Sequence, residues 1–278
     1  MNTEKYSELF DNDKITSTLK RKSVKGAAIT GVSRTLRLLI GLCGTAVLAR
    51  ILTPDDYGLV VMAAILTNYV RLFADIGLAA ATVQRENINH QQVSTLFWID
   101  VGIGFLLALL VCAISPLIAS FFNEPALKQI AIAMSVTFFM TGFVLQPRAL
   151  LRRHMRFFTV EAVIIIAQIC GVLGAIVLAM FGWGYWALVM QAIIIAFIEL
   201  VGIWIIIPWF PSRPRWVEGV GSMVRFGGDI LIFNTINYFS RNADNILIGK
   251  FWGAAPLALY DKAYSLLMMP VIQINGPV

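Results

Sequence analysis

The chain has 278 residues, of which 58% are hydrophobic and only 14% are charged. Soluble domains are about 45–50% apolar and about 25% charged, so this composition excludes an ordinary soluble protein and a disordered chain. In so apolar a chain the net charge of +6 indicates basic loops at an anionic membrane face and not a nucleic-acid-binding domain. The sequence therefore predicts an all-α polytopic membrane protein.

Eight apolar stretches, each near the length needed to cross a bilayer, follow a polar tail over residues 1–26 that lacks the apolar segment of a signal peptide. We place the spans at 27–51, 57–83, 92–118, 128–147, 158–181, 184–208, 223–250 and 256–276. They divide into a first six-helix lobe over 27–210, a cytoplasmic linker over 211–222, and the start of a second lobe over 223–278.

The distribution of lysine and arginine predicts the orientation. With the N-terminus inside, the inside segments hold most of these residues, including Arg148, Arg152, Arg153 and Arg156 between spans 4 and 5. The positive-inside rule therefore predicts a multi-pass membrane protein with a cytoplasmic N-terminus. The three cysteines and two histidines lack the spacing of a metal site or a disulfide framework, so no metal or cofactor is expected.

Several charged residues lie inside the predicted spans, where each costs at least about 2.5–3.5 kcal/mol at the bilayer centre. They are Arg34, Arg37, Arg71, Asp75, Asp100, Glu161, Glu199, Asp229, Arg241 and Asp244. Arg71 and Asp75 are spaced as a helical pair, which leaves open a structural ion pair or a cavity role. Glu161 is expected at the cytoplasmic interface, and Asp100 and Glu199 are either ion sites or hydrogen-bond partners of a neighbouring helix.

Three arginines, Arg34, Arg37 and Arg241, lie on polar stripes of spans 1 and 7 without enough acid nearby to neutralise them. Such a surplus of cations indicates an anionic ligand, and the planar guanidinium suits phosphate. An alternative catalytic motif is Asp55-Asp56, an acidic pair of the kind that holds the metal of a membrane glycosyltransferase or polymerase. The same segment, after Thr53-Pro54, is typical of a helix start, and that interpretation is favoured.

Spans 1–2 and 7–8 align at a shift of 200 residues, which predicts a repeat of six spans. Three segments then carry a family resemblance. They are ARILTPDDYG over 49–58, LFADIGL over 72–78 with Gln84 after it, and RNADNILIGK over 241–250, continuing to Tyr260, Ala263, Tyr264 and Pro270. With these segments the chain resembles bacterial polysaccharide flippases of the Wzx type, in the multidrug/oligosaccharidyl-lipid/polysaccharide (MOP) superfamily.

The resemblance implies two six-helix lobes around a cavity, which move an undecaprenyl-diphosphate-linked oligosaccharide to the outer leaflet by alternating access, without enzymatic chemistry. It implies that Arg34, Arg37, Arg71 and Arg241 hold the diphosphate. Asp75, Asp244 and Glu199 become candidates for ion coupling or for pairing with those arginines. Other membrane proteins of polysaccharide assembly are possible partners, and an ion-coupled multidrug-type exporter is an alternative function. Because the chain stops within span 8, we expect a truncated protein or a partial sequence.

Overall fold

The computed structural model describes residues 19–74, 77–85, 88–214, 238, 240 and 242–275, in which the regular structure is helical. The helices are α1 Leu19–Leu48, α2 Pro54–Ala74, α3 Leu78–Gln84, α4 His90–Phe122, α5 Ala126–Arg153, α6 Phe157–Met180, α7 Tyr185–Ile206 and α8 Ala254–Asn275. Residues 242–252 are also helical. The prediction of an all-α polytopic membrane protein is confirmed.

Six of the described helices are long and apolar enough to cross a membrane. They are the 29–48 part of α1, together with α2, α4, α5, α6 and α7, and they correspond to the first six predicted spans. Helix α8 occupies the predicted eighth span, while most of the predicted seventh span lies outside the described residues. The count of eight spans therefore stays a prediction.

The bounds of two predicted spans were wrong. The predicted span over 57–83 is interrupted, since α2 ends at Ala74 and α3 begins at Leu78 after Gly77, whose φ of +70° favours glycine. The predicted span over 128–147 is too short, because α5 continues past Pro147 to Arg153. Arg148, Arg152 and Arg153, which were expected in a loop, therefore lie on the last turns of a helix.

Close helix packing holds the bundle together at small residues. A Cβ atom on Gly142 of α5 would lie 2.7 Å from the carbonyl oxygen of Asp100 on α4, so only glycine permits this approach. On the α6–α7 pair, a Cβ on Gly202 would lie 2.7 Å from Val163. Helix α1 packs along α6, and α2 packs against α5 and α8.

At one end of the bundle, α1, α4 and α6 begin and α2, α5 and α7 end; we call it the basic end. Residues 207–214, which overlap the predicted linker, fold back here onto the start of α4. Gln91 donates to the carbonyl oxygen of Arg213 at 2.8 Å, and the Trp98 indole donates to that of Ser212 at 2.9 Å. Trp209 in the same segment is fully buried, so residues 207–214 pack against the bundle.

Candidate functional site

Helices α1 and α6 are joined by an ion pair near the basic end. The Arg37 guanidinium lies 3.2 Å from a carboxylate oxygen of Glu161, which is only 4% exposed. The Arg37 side chain extends toward the start of α1, as long helical side chains do, and its Nε donates to the carbonyl oxygen of Ser33. Gln168 of α6 donates to the carbonyl oxygen of Arg37 at 2.8 Å. Both side chain and backbone of Arg37 are thus positioned by α6.

A second ion pair joins α5 and α7. Arg148 Nη1 lies 3.0 Å from Glu199 Oε1, with each side chain only partly exposed. Arg152 follows Arg148 by four residues and therefore lies on the same face of α5. Together with Gln84 of α3, these two arginines line an open cavity of about 320 Å³ between α3 and α5. The cavity thus has a basic wall, and apart from Gln84 the rest of its lining is apolar.

The two ion pairs belong to one electrostatic group. Arg152 interacts with Arg37, Arg148, Glu161 and Glu199. Arg71, in the last turn of α2, interacts with Glu199 as well. The arginine cluster, as we define it, comprises Arg37, Arg71, Arg148, Arg152, Glu161 and Glu199. With four positive and two negative side chains, the cluster has a formal surplus of two positive charges.

The ion pairs of the cluster leave hydrogen-bonding capacity unused. Glu161 Oε2, Glu199 Oε1 and Arg148 Nε are buried and have no hydrogen-bond partner among the described residues. The two carboxylate oxygens are the atoms that approach Arg37 and Arg148, so these contacts are charge attractions without well-aligned hydrogen bonds. A stronger acceptor, such as a phosphate oxygen, can therefore compete for the same guanidinium groups.

The structure brings together some of the predicted site residues. Arg37, Arg71 and Glu199 all belong to the arginine cluster, whereas Arg34 is exposed on α1 one turn before Arg37. Asp244 has different partners, because its carboxylate accepts a 2.5 Å hydrogen bond from Tyr260 and another from the backbone of Asn245. Asp75 and Arg241 lie outside the described residues.

Three cluster residues were not predicted as site residues from the sequence. Arg148 and Arg152 were placed in a cytoplasmic loop, although their spacing of four residues already indicated one face of a continued helix. Glu161 was expected at the interface, but its side chain is buried against Arg37. No local pattern in the sequence reveals that Glu161, on the fifth predicted span, meets an arginine on the first.

Asp100 takes the second of its two predicted roles, that of a hydrogen-bond partner. It is 2% exposed and accepts a 2.9 Å hydrogen bond from Gln146 of α5. The Gln146 side-chain oxygen accepts in turn from the Thr82 hydroxyl of α3 at 2.7 Å, and Arg153 donates to the Thr82 carbonyl oxygen at 3.1 Å. We call Asp100, Gln146 and Thr82 the Asp100 network; it links α3, α4 and α5.

The segment with Asp55 and Asp56 forms a helix start, as favoured from the sequence. The backbone N–H and the hydroxyl of Thr53 donate to Asp56 at 3.0 and 2.7 Å, and the Asp56 N–H donates back to the hydroxyl. This reciprocal cap explains Asp56 without catalysis. Across the described residues, no group of three His, Cys, Asp or Glu side chains is placed to hold a metal ion.

The predicted repeat has a counterpart in the helix bounds. Helices α2 and α8 begin 200 residues apart, at Pro54 and Ala254. They pack against each other, with the backbone of Ala254 directly at Gly58, where a Cβ would not fit. At the same end Lys262 of α8 lies 5.2 Å from the ring centre of Tyr57. Tyr57 and Gly58 of the 49–58 motif therefore contact α8.

Comparison with known proteins agrees with this architecture. Residues 47–278 match the model of a family described as polysaccharide biosynthesis protein. The chain belongs to this family. It is 26% identical to the lipopolysaccharide biosynthesis protein WzxC of Escherichia coli and 27% identical to the teichuronic acid biosynthesis protein TuaB of Bacillus subtilis, each across 92% of the chain. It is 24% identical, across 81% of the chain, to the succinoglycan biosynthesis transport protein ExoT of Rhizobium meliloti.

The chain covers 53% of WzxC, 54% of TuaB and 45% of ExoT, so it spans about half the length of these curated relatives. No solved structure matches it. The resemblance to Wzx-type polysaccharide flippases that the sequence motifs indicated is confirmed. The relatives and the apolar helices together make the chain a multi-pass protein of the bacterial inner membrane.

Proposed function

We propose that the chain forms the first lobe and the beginning of the second lobe of a flippase. Its substrate is an undecaprenyl-diphosphate-linked oligosaccharide, which it moves across the inner membrane for the biosynthesis of a surface polysaccharide or lipopolysaccharide. Family membership supports the general role. The observation that carries the substrate class is the arginine cluster, with its surplus of two positive charges inside a bundle of apolar helices.

The charge of the cluster suits a diphosphate that links a lipid to a sugar. Such a diester carries one negative charge on each phosphate, which matches the formal surplus of two. Arginine binds phosphate oxygens with paired N–H groups, which a point-like ammonium cannot do. Arg148 and Arg152 line the open cavity between α3 and α5, which gives the diphosphate a path to the cluster.

We further propose that the N-terminus and the basic end face the cytoplasm. The support is the concentration of arginine at the end of α5 and in the turn after it, from Arg148 to Arg156, together with the positive-inside rule. In this orientation the cluster lies on the side where the lipid-linked oligosaccharide is made, and alternating access then opens it to the outer leaflet. Diphosphate binding by Arg34 and Arg241 and ion coupling by Asp75, Asp244 and Glu199 stay predictions.

Export of surface polysaccharide tests the proposal. In a host strain without its own copy of this gene, plasmids carry the unchanged gene or the variants Arg37→Gln, Arg148→Gln and Arg152→Gln. We expect each variant to lower surface polysaccharide at least tenfold at equal membrane abundance, because the loss of a charge-assisted contact of about 1.5–3 kcal/mol reduces binding by that order.

Arg50→Gln is the matched control, since Arg50 is an exposed arginine in the loop before α2, at the opposite end of the bundle. It should export normally. Normal export by all three cluster variants would contradict the proposed role of the cluster. Equal loss with the Arg50 variant would show that the assay detects total charge and not the cluster.

A further inference from the structure

We propose that Glu161 and Glu199 act as resident counter-anions, which compete with the diphosphate for the arginines and so allow the substrate to be released. The inference rests on the proposed function and adds a role for two acidic residues within the same site. Neither residue is required to contact the substrate, and their role is to set how tightly the arginines hold it.

The charges of the cluster are divided between two groups of helices. Both glutamates lie on the α6–α7 pair, which packs closely where Gly202 meets Val163. All four arginines lie on other helices, with Arg37 on α1, Arg71 on α2, and Arg148 and Arg152 on α5. One wall thus supplies the anions and the facing helices supply the cations, and Arg37 and Arg148 each have a carboxylate opposite when the diphosphate is absent.

A purely structural role explains these carboxylates poorly. A buried ion pair adds little net stability, because the cost of removing two charges from water offsets their attraction. Pairs kept for structure also need well-aligned hydrogen bonds, and the facing oxygens of Glu161 and Glu199 have none from the part of the chain that the structure describes. Two acids against four arginines, moreover, leave the cluster positive. The two glutamates therefore hold the arginines in place and still leave them able to bind an anion.

The competition follows from the chemistry of the two acceptors. Carboxylates and phosphates bind the same face of a guanidinium group, so a diphosphate that takes Arg37 or Arg148 must displace Glu161 or Glu199. A site with four arginines and no acid would attract a doubly charged ligand too strongly to release it. Transport requires a site that binds well enough to load and weakly enough to empty.

Binding of inorganic pyrophosphate to the purified full chain in detergent tests the inference by titration calorimetry. We expect Glu161→Gln to bind pyrophosphate about tenfold more tightly than the unchanged chain, since it removes a competing charge and keeps the size of the side chain. Arg37→Gln should bind about tenfold more weakly. The opposite signs of these two changes on one ion pair distinguish competition from a structural role, in which both variants would weaken binding.

Two further variants keep the result interpretable. Glu199→Gln should also tighten binding, and it decides the question if the Glu161 variant does not fold. Asp100→Asn is the matched control, because Asp100 is a buried acid outside the cluster. Its affinity for pyrophosphate should stay unchanged. In cells, both glutamine variants at Glu161 and Glu199 should export less polysaccharide despite their tighter binding.

The possible failures are distinguishable. If the unchanged chain binds pyrophosphate and Arg37→Gln weakens binding, while folded Glu161→Gln and Glu199→Gln leave it unchanged or weaker, the inference is wrong and the proposed function stands. If both glutamine variants fail to fold, the carboxylates are structural and the inference is also wrong. If the unchanged chain does not bind pyrophosphate, the diphosphate site of the proposed function fails, and the inference fails with it.

Discussion

The arginine cluster and the Asp100 network both place charge deep in apolar helices, yet the buried groups differ in how completely they are hydrogen-bonded. In the Asp100 network, no buried polar atom of Asp100, Gln146 or Thr82 lacks a hydrogen-bond partner. In the arginine cluster, atoms of Glu161, Glu199 and Arg148 lack a partner within the described ranges of the chain. The first arrangement is complete by itself, and the second retains capacity for another anion.

This difference shows how to interpret a charged residue in a membrane helix. The cost of burying a charge is similar in both regions, so the presence of the charge does not distinguish structure from function. Two features do: whether its hydrogen bonds are satisfied within the protein, and whether one sign is in excess. The hydrogen bonds of the Asp100 network are satisfied within the protein. The cluster has both unsatisfied polar atoms and an excess of positive charge, so it is the better candidate site.

The largest effect should come from breaking the ion pair between α1 and α6. Arg37→Met leaves Glu161 buried without its cation, which we expect to lower the free energy of unfolding by about 3 kcal/mol. Denaturant titration of the detergent-solubilised protein, followed by circular dichroism, measures this change. The double variant Arg37→Met with Glu161→Met should regain most of the loss. A double variant as unstable as the single one would show that α1 and α6 depend on the pair itself.

A smaller loss of stability is expected when the helix contacts of the two regions are crowded by an added methyl group. Gly142→Ala places a methyl group 2.7 Å from the Asp100 carbonyl oxygen and 3.0 Å from the Val101 Cα, both backbone atoms that cannot give way easily. We expect a loss of about 2 kcal/mol from overpacking, measured by the same titration. At Gly41, beside the cluster, the nearest atom is Gln168 Nε2 at an ordinary 3.4 Å, so Gly41→Ala should be tolerated.

Gly102→Ala is the control for helix propensity alone, since nothing lies within 4 Å of its added methyl group. Alanine is favoured over glycine in a helix by roughly 1 kcal/mol, so this variant should be neutral or slightly more stable. Equal losses at Gly142 and Gly41 would contradict the view that the α4–α5 contact is the tighter of the two.

Much of the fold follows from the sequence, because hydropathy, turn residues and helix caps are local properties. Thr53-Pro54-Asp55-Asp56 predicts the start of α2, and the structure has the corresponding cap. The break at Gly77 was missed, since apolar residues continue on both sides of it and hydropathy does not report a backbone angle. The extent of α5 was missed because Pro147 and the following arginines resemble a helix end.

Only half of the arginine cluster was predicted from the sequence, and the reason differs from that for the helix bounds. The polar stripe of α1 identifies Arg37 from one helix alone, but its partner Glu161 comes from a helix more than a hundred residues later in the chain. The same holds for Arg148 and Glu199, which pair across α5 and α7. Tertiary packing decides which charges meet, and spacing within a single helix contains no information about it.

The smallest effect should come from the Asp100 network. Thr82→Val keeps the shape of the side chain but removes the hydroxyl that donates to Gln146 at 2.7 Å. One lost hydrogen bond of this kind corresponds to about 1 kcal/mol, so denaturant titration should show a modest loss of stability. Pyrophosphate affinity should not change, because Thr82 does not belong to the arginine cluster. A changed affinity would show that the network and the cluster are coupled through α3 and α5. The Asp100 network would then contribute to ligand binding and not to structure alone.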